Sequence, residues 1–250
     1  MLECHAVPWD TEVFGFPVAE IGDARLGDGA NAEVVEVLQA LDAWCAEHGV
    51  ELVSCRLDNL QLRESMALEA LGFRFVETVF EPRMELDAEI AQPRRAIRVE
   101  EAGPHDSGAI DEIARDAFTT GRFLLDPRLP PELSGARYAN WVRTSLEMPS
   151  HRVLKAHING ALFGFFIVEH RNDGTVYWHL TAVAPGMQGQ GLGLDLWRTM
   201  LLRHRAEGAT RVETTISGHN LAAINLYARL GFRFASSRMT FHWLRGPARV

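Results

Sequence analysis

The chain has 250 residues, 47% of them hydrophobic, with 33 acidic against 25 basic side chains and a formal charge of -8. That length and apolar content support a packed core and exclude a disordered chain. The acidic balance, with no long Lys/Arg run, leaves no footprint for a nucleic-acid polymer, and no stretch approaches the roughly 18 to 20 apolar residues of a spanning helix.

The first residues, MLECHAVPWDTEVFGF, lack the basic start and apolar run of a leader peptide. Cys4, Cys45 and Cys55 form no CxxC pair, which predicts buried or incidental thiols in a reducing compartment. Together these readings place the chain in the cytoplasm. Val13 to Ile21 predicts an edge strand interrupted by Gly15 and Pro17. Asn31 to Glu47 predicts an amphipathic helix with Val34, Val35, Leu38, Leu41, Ala43, Trp44 and Cys45 on its apolar face, stopped by Gly49. A buried strand follows at Glu51 to Leu57, a helix at Asn59 to Leu71, and an extended run at Phe73 to Leu86. The polar, Pro-containing stretch at 87 to 96 predicts a domain boundary, separating a first module, 1–90, from a larger domain, 97–250.

Beyond it, Ile97 to Glu101 predicts a strand and Asp106 to Phe118 a helix. Residues 119 to 135, rich in Pro and Gly, read either as a surface loop or as a substrate-facing lid carrying aromatic and basic side chains. Tyr138 to Leu146 continues as helix. Arg152 to His157 and Ala161 to Glu169 form a hairpin through Asn159-Gly160, with a second turn at Asn172-Asp173-Gly174 before a strand at Thr175 to Val183. A long helix follows within Met187 to Arg205, then strand (Arg211 to Ser217), helix (Asn220 to Leu230) and strand (Phe232 to Trp243). The fold class is α/β. The chain also repeats itself: LEALGFRF at 68 to 75 and YARLGFRF at 227 to 234 each close a helix with glycine and open a strand, which predicts two related half-modules.

The densest chemical signal runs from Val183 to Gly193, where an apolar strand enters a glycine-rich turn and then a helix. Glycines there allow tight turns and close backbone approach, and backbone N–H groups converging at a helix N-terminus suit a diphosphate. No Gly-Lys-Ser/Thr follows, so it is not a P-loop, and no early βαβ unit with a placed acid makes it a dinucleotide fingerprint.

On Gln188-x-x-Gly191-x-Gly193, followed one βα unit later by Asn220-x-x-Ala223-x-x-x-Tyr227-x-x-x-Gly231-Phe232, the chain resembles the GNAT superfamily of N-acetyltransferases over roughly residues 97 to 243. The resemblance implies the GNAT fold with a partial GNAT-like module before it. It implies acetyl-CoA as cosubstrate, with its diphosphate on the backbone of Gln188, Gly189, Gln190, Gly191, Leu192 and Gly193 and its pantetheine arm on the backbone of Ala182 and Val183. Trp9 to Gly15, Ala117 to Phe123 and Tyr138 to Val142 are similar to the TDP-fucosamine acetyltransferase group, which implies the amine of a nucleotide-linked 4-amino-6-deoxysugar as acceptor. A homodimer is implied by the family resemblance alone.

Direct attack by the amine needs a held thioester, a neutral amine, a stabilised oxyanion and a proton for the departing thiolate. Tyr227 is the candidate acid, a phenol able to protonate a thiolate of nearby basicity; packing on the sheet is the other reading. Asn220 caps its helix and by resemblance also lies near the cofactor. His179 or Glu213 is the candidate base, and alternation puts His179 on one face with Tyr177 and Thr181. Arg122 and Phe123, with Trp9 and Phe14, are candidates for the acceptor's phosphate and ring, against simple packing. Met187 and Trp197 read as structural. The scattered histidines form no HxH or HExxH pattern, so no metal is expected. Two further possibilities stand: another small-molecule amine or a protein N-terminus as acceptor, and a non-catalytic acyl-CoA-binding protein.

Overall fold

The computed structural model describes residues 2–25 and 31–246; within the second helix the side chains of residues 31–34 and 38, among them Val34 and Leu38 expected on its apolar face, lie outside the description. In chain order the elements are β1 (Leu2–Ala6), α1 (Pro8–Phe14), β2 (Val18–Ala24), α2 (Asn31–Glu47), β3 (Leu52–Asp58), α3 (Leu62–Ala70), β4 (Arg74–Glu85), β5 (Arg98–Glu101), α4 (Ser107–Ala117), α5 (Arg122–Leu125), α6 (Pro131–Glu147), β6 (His151–Ile158), β7 (Ala161–His170), β8 (Thr175–Val183), α7 (Leu192–Ala206), β9 (Arg211–Thr214), β10 (Ile216–Ser217), α8 (Leu221–Leu230) and β11 (Arg233–Leu244). No described helix is long and apolar enough to cross a membrane.

The chain divides into two compact units, one of Met1–Val79, Arg122–Leu133 and Ser237–Val250, the other of Phe80–Gly121 and Ser134–Ser236. This differs from the division expected at 87 to 96. That stretch is polar because it runs along the surface of the second unit, where Ile90 still joins the core and the Arg94 backbone N–H donates to Asp195 at the start of α7.

In the first unit the strands run β1-β2-β3-β11, with β2 parallel to β3 and the other pairs antiparallel. Ala19, Ile21, Val53, Cys55, Leu57 and Phe241 line one sheet face and pack with Leu41 and Cys45 of α2, Leu68 of α3 and Phe73 just before β4. The strand expected from Val13 is helix to Phe14. Pro at its first turn supplies the φ a helix start needs, and Gly15, left-handed at φ 74°, ends it. Val35, expected on the buried face of α2, is half exposed.

The second unit has the order β4-β9-β8-β7-β6-β5. Its β6–β7 hairpin turns at Asn159 (φ 51°) and Gly160 (φ 81°), the two positive angles a type I′ turn demands. The sheet is covered on both faces. Leu196, Trp197, Met200 and Leu201 of α7 and Tyr227 of α8 pack with Phe166, Trp178 and Val212. Ile110, Ile113 and Ala114 of α4 and Val142 of α6 pack with Phe165, Ile167, Leu180 and Ala182. Gly164 is needed at its place, since a Cβ there would lie 2.7 Å from the Ala182 carbonyl oxygen.

The stretch 119 to 135 holds α5 and the first turn of α6, with turns at 119–121 and 126–130. Residues 122 to 133 belong to the first unit. There Phe123 and Leu129 are buried in a cluster with Val7, Phe14, Val18 and Leu52. Both proposed readings, loop and lid, missed these apolar anchors because they are spaced irregularly.

Candidate functional site

The expected catalytic and cofactor residues all fall in the second unit, around the C-terminal end of β8. The β8–β9 ladder is parallel and runs from Thr175/Arg211 to Trp178/Thr214. Beyond Trp178 the strands part: β10 (Ile216–Ser217) pairs with β4 instead, while β8 continues against β7 to Val183. The edge of β8 turned away from β7, including Ala182 and Val183, therefore offers backbone groups that no ladder from β9 fills. An extended amide-bearing chain can use them as a strand would.

At the end of β8 the Gln188 side chain donates to the Val183 carbonyl at 2.9 Å, and the Gln190 side chain donates to the Gly186 carbonyl at 3.2 Å. These two glutamines shape the loop with their side chains, so the Gln188 to Gly193 segment is fixed before any ligand arrives. Gly189 (φ 74°) and Gly191 (φ 73°) sit in the left-handed region, where a Cβ would be strained. Gly191 is the N-cap of α7 and no side chain caps that helix. Its first-turn N–H groups and the positive end of its dipole are left for an anion. A cation that sequence reasoning missed stands beside them. Arg95 donates to the Gln190 carbonyl at 3.1 Å and pairs with Asp195 at 3.3 Å. Nothing in a Pro-Arg-Arg stretch flags it, because its partners lie about a hundred residues away.

Tyr227 is buried on α8 among Trp178, Trp197 and Phe232. Its hydroxyl has no hydrogen-bond partner, and neither has the Trp197 indole nitrogen. Burial raises the phenol's pKa, only partly opposed by the nearby side chains of Trp197, Thr181 and Thr214. An unpaired buried hydroxyl costs stability, and one kept protonated can give up a proton only to a basic partner. Trp197, expected to be structural, thus borders the same polar point as Tyr227. Asn220 caps α8 as expected, its Oδ1 accepting from the Ala223 N–H at 3.0 Å.

His179 departs from the alternation expected. The β7–β8 register shifts so that Ile167 faces Leu180 while Val168 faces Trp178, which makes His179 the extra residue of a β-bulge. Its ring packs on Tyr177, His151 and Trp141, on the α4–α6 face, while Thr181 stands near Tyr227 on the other. His179 is hydrogen-bonded to Glu169 at 3.1 Å. Burial and the neighbouring His151 lower its pKa, with Glu169 pulling the other way, so the ring is neutral at pH 7. Glu213, the other candidate base, is paired with Arg211 at 3.3 Å and Arg171 at 3.8 Å. Two guanidinia thus engage its carboxylate. A bulge has no sequence signature here, so neither the face of His179 nor its Glu169 partner was legible.

The expected acceptor residues lie in the first unit and separate into two kinds. Phe14 and Phe123 are buried side chains in edge contact at 4.9 Å, which favours the packing reading over ligand stacking. Arg122 stays half-buried with its guanidinium 4.7 Å from the Phe123 ring centroid, and Trp9 is 37% exposed on α1.

Among the described residues one trio has the spacing of metal ligands, His170, His204 and Glu207. Trp178 donates its indole N–H to His204 Nε2 at 3.1 Å, which in the neutral ring puts the proton on Nδ1, toward Glu207 at 3.4 Å. Glu207 also pairs with Arg203 at 2.9 Å and Arg152 at 3.4 Å. A carboxylate held by two guanidinia beside a protonated ring nitrogen suits a hydrogen-bonded network rather than a cation.

The family model described as "Acetyltransferase (GNAT) family" matches residues 109–232, which contain the β8 edge, the glycine turn and Tyr227. These residues form a GNAT-family domain. It is 30% identical over 139 residues to the "Spore coat polysaccharide biosynthesis protein SpsD" of Bacillus subtilis (strain 168), covering 56% of this chain and 48% of that protein. It is 32% identical over 120 residues to the "L-2,4-diaminobutyric acid acetyltransferase" of Nocardia farcinica (strain IFM 10152), covering 47% of this chain and 60% of that one. The chain thus spans about half the length of these curated relatives. Its fold matches that of a solved GCN5-related N-acetyltransferase from Sphaerobacter thermophilus, with a TM-score of 0.69 at 15% identity over 98% of this chain and 76% of that one.

Proposed function

We propose that this chain is an N-acetyltransferase that moves an acetyl group from acetyl-CoA directly to the 4-amino group of a TDP-linked 4-amino-6-deoxysugar. The observation that carries the transfer reading is the parting of β8 from β9 after Trp178, with an uncapped glycine turn at one end and the unpaired Tyr227 hydroxyl beside it. These features fit acetyl-CoA: first-turn N–H groups of α7 and Arg95 suit its diphosphate, and the open edge of β8 at Ala182 and Val183 suits its amide-bearing arm. Acetyl-CoA, when bound, supplies the acetyl group as a thioester. A backbone N–H of that edge polarises the thioester carbonyl. Neutral His179, one residue past the end of the β8–β9 ladder and positioned by Glu169, takes the amine's proton directly or through water. Tyr227 donates its proton to the departing sulfur. No covalent enzyme intermediate is needed.

The sugar reading draws on the N-terminal Trp9 to Gly15 and the 117 to 123 segment, and on a relative named for polysaccharide biosynthesis. The relative named for diaminobutyric acid favours a second reading, a smaller free amine. The three free cysteines, two of them buried, support a reducing compartment such as the cytoplasm.

The test is CoA release from acetyl-CoA with TDP-4-amino-6-deoxysugars, diaminobutyrate, simple amines and a peptide. Turnover confined to the nucleotide sugars is expected. Turnover of diaminobutyrate or a peptide instead keeps acetyl transfer and removes the sugar; acetyl-CoA that binds and never turns over removes the enzyme reading.

A further inference from the structure

We propose that the first unit carries its own binding site for a nucleoside or glycosyl diphosphate, built on Arg56, Arg122 and Arg238.

Strands β3 and β11 pair antiparallel with Arg238 opposite Asp58, Thr240 opposite Arg56 and His242 opposite Ser54. Residues directly opposite share a face, so Ser54, Arg56, Asp58, Arg238, Thr240 and His242 stand together, while Val53, Cys55, Leu57 and Phe241 fill the apolar core behind. Arg122 reaches the same face from α5. Its neighbour Phe123 stacks on the His242 ring at 5.2 Å, and Asp126 bonds His242 at 3.0 Å.

Arg56 donates to Thr240 Oγ1 at 3.3 Å and stands 3.8 Å from Glu77. Burial, reinforced by the neighbouring Arg122 and Arg238 and only partly opposed by Glu77 and Glu20, brings its pKa down to about 10. Arg122 and Arg238 thus crowd the Arg56 guanidinium, and a bound anion relieves that repulsion. Arg is also the side chain whose planar fork matches phosphate oxygens.

The same face holds buried polar atoms with no hydrogen-bond partner: Ser54 Oγ, Glu77 Oε2 and His242 Nε2. Because His242 Nδ1–H donates to Asp126, its Nε2 is an acceptor, as is Glu77 Oε2. Natively buried polar atoms are nearly always paired, so a ligand completing this set brings O–H or N–H donors as well as negative charge. That combination fits a diphosphate ester of a sugar or nucleoside.

The ligand class rests on the acceptor proposed above, and the test separates the two. Thymidine diphosphate (TDP) and inorganic pyrophosphate are titrated calorimetrically into the full chain with saturating CoA, so that the glycine turn of the second unit is filled. TDP should bind, pyrophosphate more weakly, and added salt should weaken both. Arg122→Gln and Arg238→Gln should each lower TDP affinity about tenfold or more, with CoA affinity unchanged and thermal melting confirming the fold. Arg122→Lys, which keeps the charge without the fork, should fall between. Absence of TDP binding, equal binding by the variants, or equal affinity for pyrophosphate overturns the site. If TDP binds as described but no amino sugar is acetylated, the site stands and the acceptor reading falls. If a TDP-amino sugar is acetylated while TDP binds both variants as it binds the unaltered chain, the acceptor reading stands and this site falls.

Discussion

Two octapeptides show how this chain reuses one scaffold for two purposes. In the first unit, LEALGFRF ends α3: the Phe73 N–H donates to the Leu68 carbonyl at 3.0 Å, the Gly72 N–H to Glu69 at 3.0 Å, and Gly72 is left-handed at φ 86°. In the second, YARLGFRF ends α8 with the same bonds, Phe232 to Tyr227 at 3.0 Å and Gly231 to Ala228 at 3.1 Å, and Gly231 at φ 90°. The backbone is the same and the first side chain is not. Leu68 fills an apolar cluster with Cys45 and Leu57, whereas Tyr227 carries an unpaired hydroxyl into its core. A glycine stop and an aromatic strand preserve geometry, while Leu68, Glu69 and Ala70 give way to Tyr227, Ala228 and Arg229.

The largest expected effect tests the first of these exchanges. Tyr227→Phe should lower kcat by about 10²- to 10⁴-fold if the phenol is the general acid. Thermal stability should stay level or rise slightly, because the lost hydroxyl makes no hydrogen bond in the folded state. Undiminished kcat would mean that the two octapeptides differ only in packing. The reciprocal change, Leu68→Ala, should cost about 2–5 kcal/mol in denaturant unfolding while the folded fraction keeps its acetylation rate. A loss under 1 kcal/mol would show that α3 packs far more loosely than its burial indicates.

Both units also bury a neutral histidine, and here the comparison predicts likeness. Burial lowers His204 to about 4, with Glu207 opposing, and lowers His242 to about 4, with Asp126 opposing. An unfolded histidine titrates near 6.5, so between those values the unfolded chain binds more protons than the folded one. Stability is therefore full above about pH 6.5 and falls as the pH drops toward 4. Denaturant midpoints measured from pH 7.5 to 4.5 should decline across that window; a flat profile would contradict the burial of both rings.

His179 gives a smaller, kinetic version of the same reasoning. Its pKa lies below the ordinary value, and Glu169 is among the groups holding it up. The acidic limb of kcat/KM should therefore fall below pH 6.5, move to lower pH in Glu169→Gln, and vanish in His179→Gln. A limb unmoved by either variant assigns the proton to water.

The elements legible in the sequence were those whose signals are local. The Asn159-Gly160 turn, the Gly72 and Gly231 stops, the Asn220 cap and the glycine turn before α7 all announce themselves within a few residues. What was hidden depends on distant partners. The bulge at His179 exists only against β7, Arg95 finds Asp195 and Gln190 about a hundred residues on, and Phe14 meets Phe123 across the first unit. Alternation misplaced His179 for the same reason: period-two reading assumes an unbroken ladder. The 122 to 133 segment was read without structure because Phe123 and Leu129 are too widely spaced to show a helical period, although together they anchor it.

The smallest effect concerns the starts of the two matched helices. Asn220 caps α8 with its side chain, whereas Gln61 at the start of α3 makes no cap bond and instead reaches the Ala24 carbonyl at 2.7 Å. Asn220→Ala should cost about 1 kcal/mol, the usual value of a lost cap, and Asn220→Asp, which keeps the acceptor, should restore most of it. If Asn220 acts only as a cap, the KM for acetyl-CoA should be unchanged in both variants. A rise in KM that Asp fails to rescue would give Asn220 a cofactor contact of its own, and would add a second residue, beyond Tyr227, that separates the working half of the repeat from its apolar twin.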